Sequence, residues 1–291
     1  VLGVVNAFDN PARRGLVTEL VDTPDIPNAT SLNTAVMTGS RIFGPALAAV
    51  MVATVGTAWC FLLNGVTFFA IIFSLTAIRT AEMFPMPRRP RGGQPIREAL
   101  RFIGGRPDML LIHVVLVVVS MFAFNQNVVL PKLADERWGG EAYFGLVLAV
   151  MSFGSLSGSL LTARMQPVTL RWFMAAILLL AGAGFGLAWA PNLWLAFVWS
   201  VPFGIGGAGF VTAANALTQQ ACPPDMRSRL LALQAVAFLG STPIGGPITG
   251  WIADTVSAEW ALAYGSVISL LCVAAGTVYW TSASREFQTS T

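Results

Sequence analysis

Apolar residues run along this chain in long blocks, and polar residues are confined to the short stretches between them. After an apolar end near Phe8 and a polar connection, blocks fit roughly residues 31–53 and then a second span to about Ile78. Six more fit roughly 109–130, 142–163, 171–190, 193–217, 229–252 and 259–281. Each approaches or exceeds the roughly 20 residues that a helix needs to cross the hydrocarbon of a bilayer. Gly56-Thr57 and similar turns of Gly, Pro, Asn or charge separate them. The pattern predicts an all-α, polytopic membrane protein with eight complete transmembrane helices and part of a ninth.

Charge adds orientation. Alternate connections carry Arg13, Arg14, Arg79, Arg88, Arg89, Arg91, Arg97, Arg101, Arg106, Arg164, Arg171, Arg227, Arg229 and Arg285. The opposite connections hold only Lys132 and Arg137. The positive-inside bias therefore puts the first set, and the C-terminus, in the cytoplasm of a multi-pass cell-membrane protein. Within the long loop Arg79–Asp108, the segment IREALRFI sets Ile96, Leu100 and Ile103 on one helical face. That suits a helix lying on the membrane surface.

Composition narrows the function classes. The chain is 55% hydrophobic and 11% charged, with a mean hydropathy of +0.68. Globular proteins carry about 25% charge. A sequence pI near 9.1 would suit nucleic acid, but the arginines sit in loops between apolar runs and read as topology signals instead. Cys60, Cys222 and Cys272 lie in separate segments, so no disulfide framework or metal site is indicated. GIGGAG, Gly204–Gly209, matches a dinucleotide fingerprint by letter. It lies inside an apolar run rather than between strand and helix, so close packing is the expected role. No Walker sequence, paired carboxylates or Cys/His cluster is present, and the chain reads as no enzyme, without cofactor or metal.

The segment SLNTAVMTGSRIFGPALAA, Ser31–Ala49, organises the rest. Gly44-Pro45 would break a soluble helix, yet in a bilayer neighbouring helices satisfy the freed carbonyl. Ser31, Ser40, Gly44, Ala48 and Ala49 are small enough for another backbone to come close. Gly44-Pro45 recurs as Gly246-Pro247, 202 positions later, with Gly250 beyond it. The turns ahead correspond as well, Pro24-Asp25 with Pro224-Asp225 and Leu32 with Leu233. Two halves of the same topology joined by a long loop form the parallel-repeat plan of one large transporter fold. On that plan, roughly 90 or more residues are expected ahead of Val1.

The residues now in hand resemble the major facilitator superfamily. GVVNAFDNPARRGLVTELV, NATSLNTAVMTGSRIFGPALAA and CFLLNGVTFFAI look like its helices four to six. PPDMRSRLLALQAVAFLGSTPIGGPITGWIAD looks like its helix eleven with the loop before it, and GSLSGSLLTAR resembles the weaker second copy of its loop motif. The nearest subgroup is that of the enterobactin exporter and bacterial drug antiporters. The resemblance implies a twelve-helix fold lacking, here, helices one to three and much of four. It divides the chain into 1–78, the remainder of an N-terminal bundle, and 79–108, a cytoplasmic linker with an amphipathic helix. The C-terminal six-helix bundle is then 109–283 and the cytoplasmic tail 284–291. Ser31, Ser40, Gly44, Pro45, Ala48 and Ala49 match a degenerate helix-five antiporter motif.

Candidate chemistry is sparse. Arg41, about two turns inside the membrane, costs roughly 2.5–3.5 kcal/mol to insert. It either faces the cavity, pairs with a carboxylate such as Asp9, or snorkels to the surface. Asn125, Gln126 and Asn127 form a polar cluster toward the outer end of their helix, as cavity contacts or as an interfacial cap; Asn215 has similar standing. His113, the lone histidine, has no acidic neighbour on its own helix and reads as a bystander. The expectation is a secondary transporter using alternating access. It would export small amphipathic molecules such as drugs or siderophores and be coupled to protons, its partners being substrate and bilayer, with no nucleic acid. The alternative is a non-transporting membrane receptor or scaffold on the same fold.

Overall fold

Proline, glycine and asparagine mark the helix ends. The computed structural model describes residues 16–17, 19–26, 54–84, 95–140, 142–165, 167–223 and 226–289, with scattered positions from 28 to 51. Among them are α1 (Thr57–Thr76), α2 (Pro95–Gly104), α3 (Pro107–Ala123), α4 (Gln126–Arg137) and α5 (Ala142–Arg164). Then follow α6 (Leu170–Ala188), α7 (Leu193–Ala221), α8 (Arg227–Thr255) and α9 (Ala258–Thr289). No strand occurs among the described residues. Gly56, at φ +87°, makes the turn into α1 that a side chain would strain. The Thr169 and Asn192 side chains accept from Trp172 N and Leu195 N at 3.3 and 3.0 Å, capping α6 and α7.

Seven described segments are apolar and long enough to span a membrane. They are Ala58–Thr76, Pro107–Arg137, Tyr143–Arg164, Leu170–Ala188, Leu193–Ala221, Arg229–Thr255 and Ala258–Trp280. The span expected at 31–53 lies mostly outside the described residues.

The chain forms two compact units, Val1–Gly92 and Gly93–Thr291. In the first, α1 exposes Phe61, Phe69 and Phe73, as a helix bathed in lipid does. A 3-10 turn, Thr80–Glu82, follows it.

In the second unit, α7 lies between α5 and α6, and its glycines set the spacing. A Cβ on Gly204 would stand 2.8 Å from Ser155 N of α5, and one on Gly206 2.5 Å from Leu180 N of α6. From the other side, a Cβ on Gly158 would stand 2.8 Å from Ile205 Cα. These backbones approach as closely as missing side chains permit, the packing that helices use where lipid gives no hydrophobic drive. The letters of GIGGAG are thus spent on helix contacts, with Gly207 and Gly209 facing Phe124 and Ala176. Phe173, Phe210, Ile177 and Leu180 fill the fully buried centre, where Phe173 and Phe210 lie 5.3 Å apart.

Two expectations need correction. The span drawn at 109–130 is a broken helix, α3 ending at Ala123 and α4 running from Gln126 to Arg137. Asn side chains compete for backbone groups and disfavour helix interiors, and Pro131 inside α4 removes one more donor. Lys132 and Arg137 therefore belong to a helix, not to a connection. In α2, Ile103 turns with Ala99 into the protein while Ile96 and Leu100 stay exposed. The apolar arc is divided between protein and surroundings.

Candidate functional site

The break between α3 and α4 brings together residues that lie far apart in the sequence. Phe124 and Asn125 carry φ near −100° and ψ near +26°, outside the helical ladder. Asn125 is 5% exposed. Its Nδ2 donates to Met121 O at 2.6 Å, and its backbone carbonyl accepts from Val128 N at 2.9 Å. That first bond fixes the amide, because the reverse orientation would set two acceptors face to face. Asn125 Oδ1 is then buried without a partner, and so is Gln126 Oε1. Each orphaned acceptor costs about 1–3 kcal/mol.

Opposite the break stands the Gly-Pro region of α8. A Cβ on Gly245 would lie 2.8 Å from Asn125 Nδ2, one on Gly246 4.0 Å from Asn125 Oδ1, and one on Gly250 3.7 Å from Val128 Cγ1. Pro243 and Pro247 lie inside the same helix. Thr249 Oγ1 donates to Gly245 O at 2.8 Å, and 2.9 Å separates it from the Tyr264 hydroxyl. Tyr264 meets Phe122 edge-on at 5.9 Å, and Phe124 meets Phe238 at 5.1 Å. The result is a polar spot in an apolar, aromatic wall.

Of the sequence candidates, Asn125, Gly246 and Gly250 meet here, with Pro247 in the same stretch of α8. Gln126 is half-buried and Asn127 exposed, so the three-residue cluster splits. Asn215 lies half-buried in α7, its carbonyl accepting from Gln219 Nε2 at 3.2 Å. Ser40 and Gly44 are exposed helical positions. Asp9, Ser31, Arg41, Pro45, Ala48 and Ala49 lie outside the described residues, and with them the possible Asp9–Arg41 pair. His113 is buried, its Nδ1 donating to Met109 O at 2.8 Å, with Nε2 unpartnered. Sequence reasoning missed Met121, Gly245, Thr249 and Tyr264. It also missed Gln234, whose Nε2 reaches Thr218 Oγ1 at 2.8 Å while its Oε1 has no partner. A lone Gln in an apolar run was the available signal.

Charges tie both ends. On one, Lys132 Nζ meets Ala253 O at 2.6 Å and Asp254 at 3.0 Å, and Arg137 pairs with Glu259. On the other, Arg229 pairs with Glu98 of α2 at 2.5 Å. No group of three or more metal-ligating side chains occurs among the described residues.

Comparison with known proteins places this architecture. The family model MFS_3, described as transmembrane secretion effector, matches residues 1–289. The chain belongs to this family, within the major facilitator superfamily. The uncharacterized MFS-type transporter YfiS of Bacillus subtilis (strain 168) is 26% identical over 281 residues, covering 89% of the chain and 64% of that protein. The multidrug efflux pump Tap of Mycolicibacterium fortuitum is 25% identical over 87% of the chain and 65% of its own length. The staphyloferrin A transporter of Staphylococcus aureus (strain NCTC 8325 / PS 47) is 20% identical over 56% and 41%. The chain thus spans under two thirds of the length of the first two of these relatives. A bacterial homolog of the human lysosomal transporter Spinster, inward-facing and unoccupied, shares the fold. Its TM-score is 0.59 at 17% identity, over 96% of this chain and 75% of that one. This is a multi-pass, all-α membrane protein of a family of transporters, not of enzymes.

Proposed function

We propose that the chain is part of a secondary transporter working by alternating access and exporting small amphipathic molecules, drugs or siderophores among them. The break between α3 and α4, set against the Gly-Pro region of α8, carries the reading. Discontinuous helices and unwound backbone mark substrate and ion sites in transporter bundles, and buried Asn125 Oδ1 and Gln126 Oε1 still want donors. The multidrug pump and siderophore transporter among its relatives support the substrate class. Residues 1–78 would belong to one bundle and 109–283 to a second, with 79–108 as a cytoplasmic linker and 284–291 as a cytoplasmic tail. Asn215, Gly246, Pro247, Gly250 and the helix-five segment with Arg41 would line or support the cavity. Protons would drive export. In the described spans Asp108, Asp254 and Glu259 sit near helix ends and Asp135 and Glu136 near the end of α4, so none of these carboxylates is proposed as the titrating group.

The test is extrusion of fluorescent amphipathic cations by energised cells expressing the chain within its complete reading frame, with and without Asn125→Ala. Extrusion that collapses with the proton gradient, and that Asn125→Ala weakens, supports the reading. Binding of such compounds without flux, across a panel of drugs and siderophores, would favour a receptor or scaffold instead.

A further inference from the structure

A pocket of about 320 Å³ opens at the arginine-rich end of the second unit. Its walls are Met109, Ile112, Leu170, Leu217 and Trp280, and Asp108 stands among them. All come from helix ends at one level: the first turns of α3 and α6, the last turns of α7, and the end of the apolar span Ala258–Trp280. Tryptophan is enriched at that level, where hydrocarbon gives way to headgroups.

The rim chemistry is specific. Arg106 and Asp108 form a two-pronged pair, Nε to Oδ1 at 3.2 Å and Nη2 to Oδ2 at 2.7 Å, and Arg106 Nη1 donates to Ala221 O at 2.8 Å. A guanidinium has five N–H donors and a carboxylate about four acceptor positions. Two donors and two acceptor positions therefore remain, on side chains 43% and 29% exposed. Gln220, also in the wall, has an amide that fits Val168 N and O at 3.0 Å each. The spare polar capacity is thus one cation beside one anion, above an apolar slot.

We propose that this pocket binds phosphatidylethanolamine, with one acyl chain in the slot, the phosphate on Arg106 and the primary ammonium on Asp108. The slot alone selects nothing, because hydrocarbon is as well solvated by lipid tails as by Leu and Ile. Preference must come from the headgroup. A phosphate accepts the spare guanidinium N–H bonds, and an ammonium donates to the carboxylate, both as strong charge-assisted bonds. Phosphatidylcholine presents the same phosphate but no N–H, and phosphatidylglycerol no cation. The site lies apart from the α3/α4 break and stands whether or not the chain takes part in transport.

The experiment uses the delipidated 291-residue chain in detergent and lipids with dibrominated acyl chains, which quench tryptophan on contact. Brominated phosphatidylethanolamine quenches at a concentration about ten-fold below that of phosphatidylcholine or phosphatidylglycerol, as one added charge-assisted bond provides. The saturable quenching disappears in Trp280→Phe and weakens in Leu217→Phe, which fills the slot. Asp108→Asn loses the preference for phosphatidylethanolamine and Asp108→Glu keeps it, with circular dichroism showing both folded. Equal quenching by the three lipids overturns the proposal. So does a preference that survives Asp108→Asn, or competition by soluble glycerophosphoethanolamine as strong as that of the lipid. If Asp108→Asn does not fold, loss of the preference in Asp108→Glu overturns it equally.

Discussion

Replacing Gly206 by alanine tests the packing at the centre of the second unit. A Cβ there would meet Leu180 N at 2.5 Å, Ala176 O at 2.7 Å and Leu180 Cα at 2.8 Å, all backbone atoms of α6. An ordinary contact begins near 3.4 Å, so α6 and α7 must part by about 0.9 Å (3.4 less 2.5). No side chain can rotate away to absorb it. Overpacking of this kind costs about 1–3 kcal/mol. Alanine also gains about 1 kcal/mol over glycine in any helix interior, so the bare variant mixes two effects. Gly182→Ala separates them. It lies on α6 with nothing within 4 Å of its Cβ position and receives the helix gain alone. The gap between the two variants is then the overpacking cost. At about 2–4 °C per kcal/mol for a unit of this size, Gly206→Ala melts about 2–12 °C below Gly182→Ala. Tryptophan fluorescence of the purified protein during heating in detergent measures it. Coincident melting of the two variants would refute the close approach of α6 and α7.

Asn125→Leu should leave stability within about 1 kcal/mol, since losing the bond to Met121 O is offset by removing an orphaned acceptor, while extrusion falls about ten-fold or more; unchanged extrusion removes Asn125 from the site. Lys132→Met should destabilise by about 0.5–1 kcal/mol, and 1 M NaCl should shrink that difference by screening; a salt-independent effect would point to packing of the side-chain stem instead. Gly93→Cys and Thr291→Cys should both resist an impermeant thiol reagent in intact cells, and labelling of both would reverse the orientation. Limited proteolysis should cut first between Arg79 and Asp108, leaving the helices beyond Asp108 as a protected fragment; early cuts inside α5–α9 would contradict a packed second unit.

The spans were legible because hydrocarbon imposes a length and excludes charge, and both leave marks in single residues. Helix ends fell within a few residues where Gly, Pro or Asn stood, as at Asn192 and Gly56. The break at Phe124–Asn125 was not legible, although its causes were in view. Asn125 and Pro131 each disfavour helix, but whether a bilayer helix breaks depends on what can receive its loose groups. Here Asn125 Nδ2 receives the loose Met121 carbonyl, and the room for both comes from Gly245 of α8, more than a hundred residues away. The candidate site was read as three neighbouring amides, because proximity along a sequence is visible and proximity across helices is not. In α2, period alone grouped Ile96 with Ile103, and only the position of the neighbouring helices could divide them.

The glycine contacts along α7 bear on motion. Three helices held backbone to backbone at Gly154, Gly158, Gly204 and Gly206 have no side chain at those points to slide or re-pack, and they make a stiff slab. Bending within it would cost the contacts of α5 and α6 together. Whatever rearrangement this unit undergoes must therefore be taken up outside the slab, in α3 with its interruption and α8 with its prolines at 243 and 247. Those two helices pack on one another at Asn125 and Gly245. The compliant part of the bundle holds two unsatisfied acceptors, Asn125 Oδ1 and Gln126 Oε1, so a molecule that met those groups would also brace the joint.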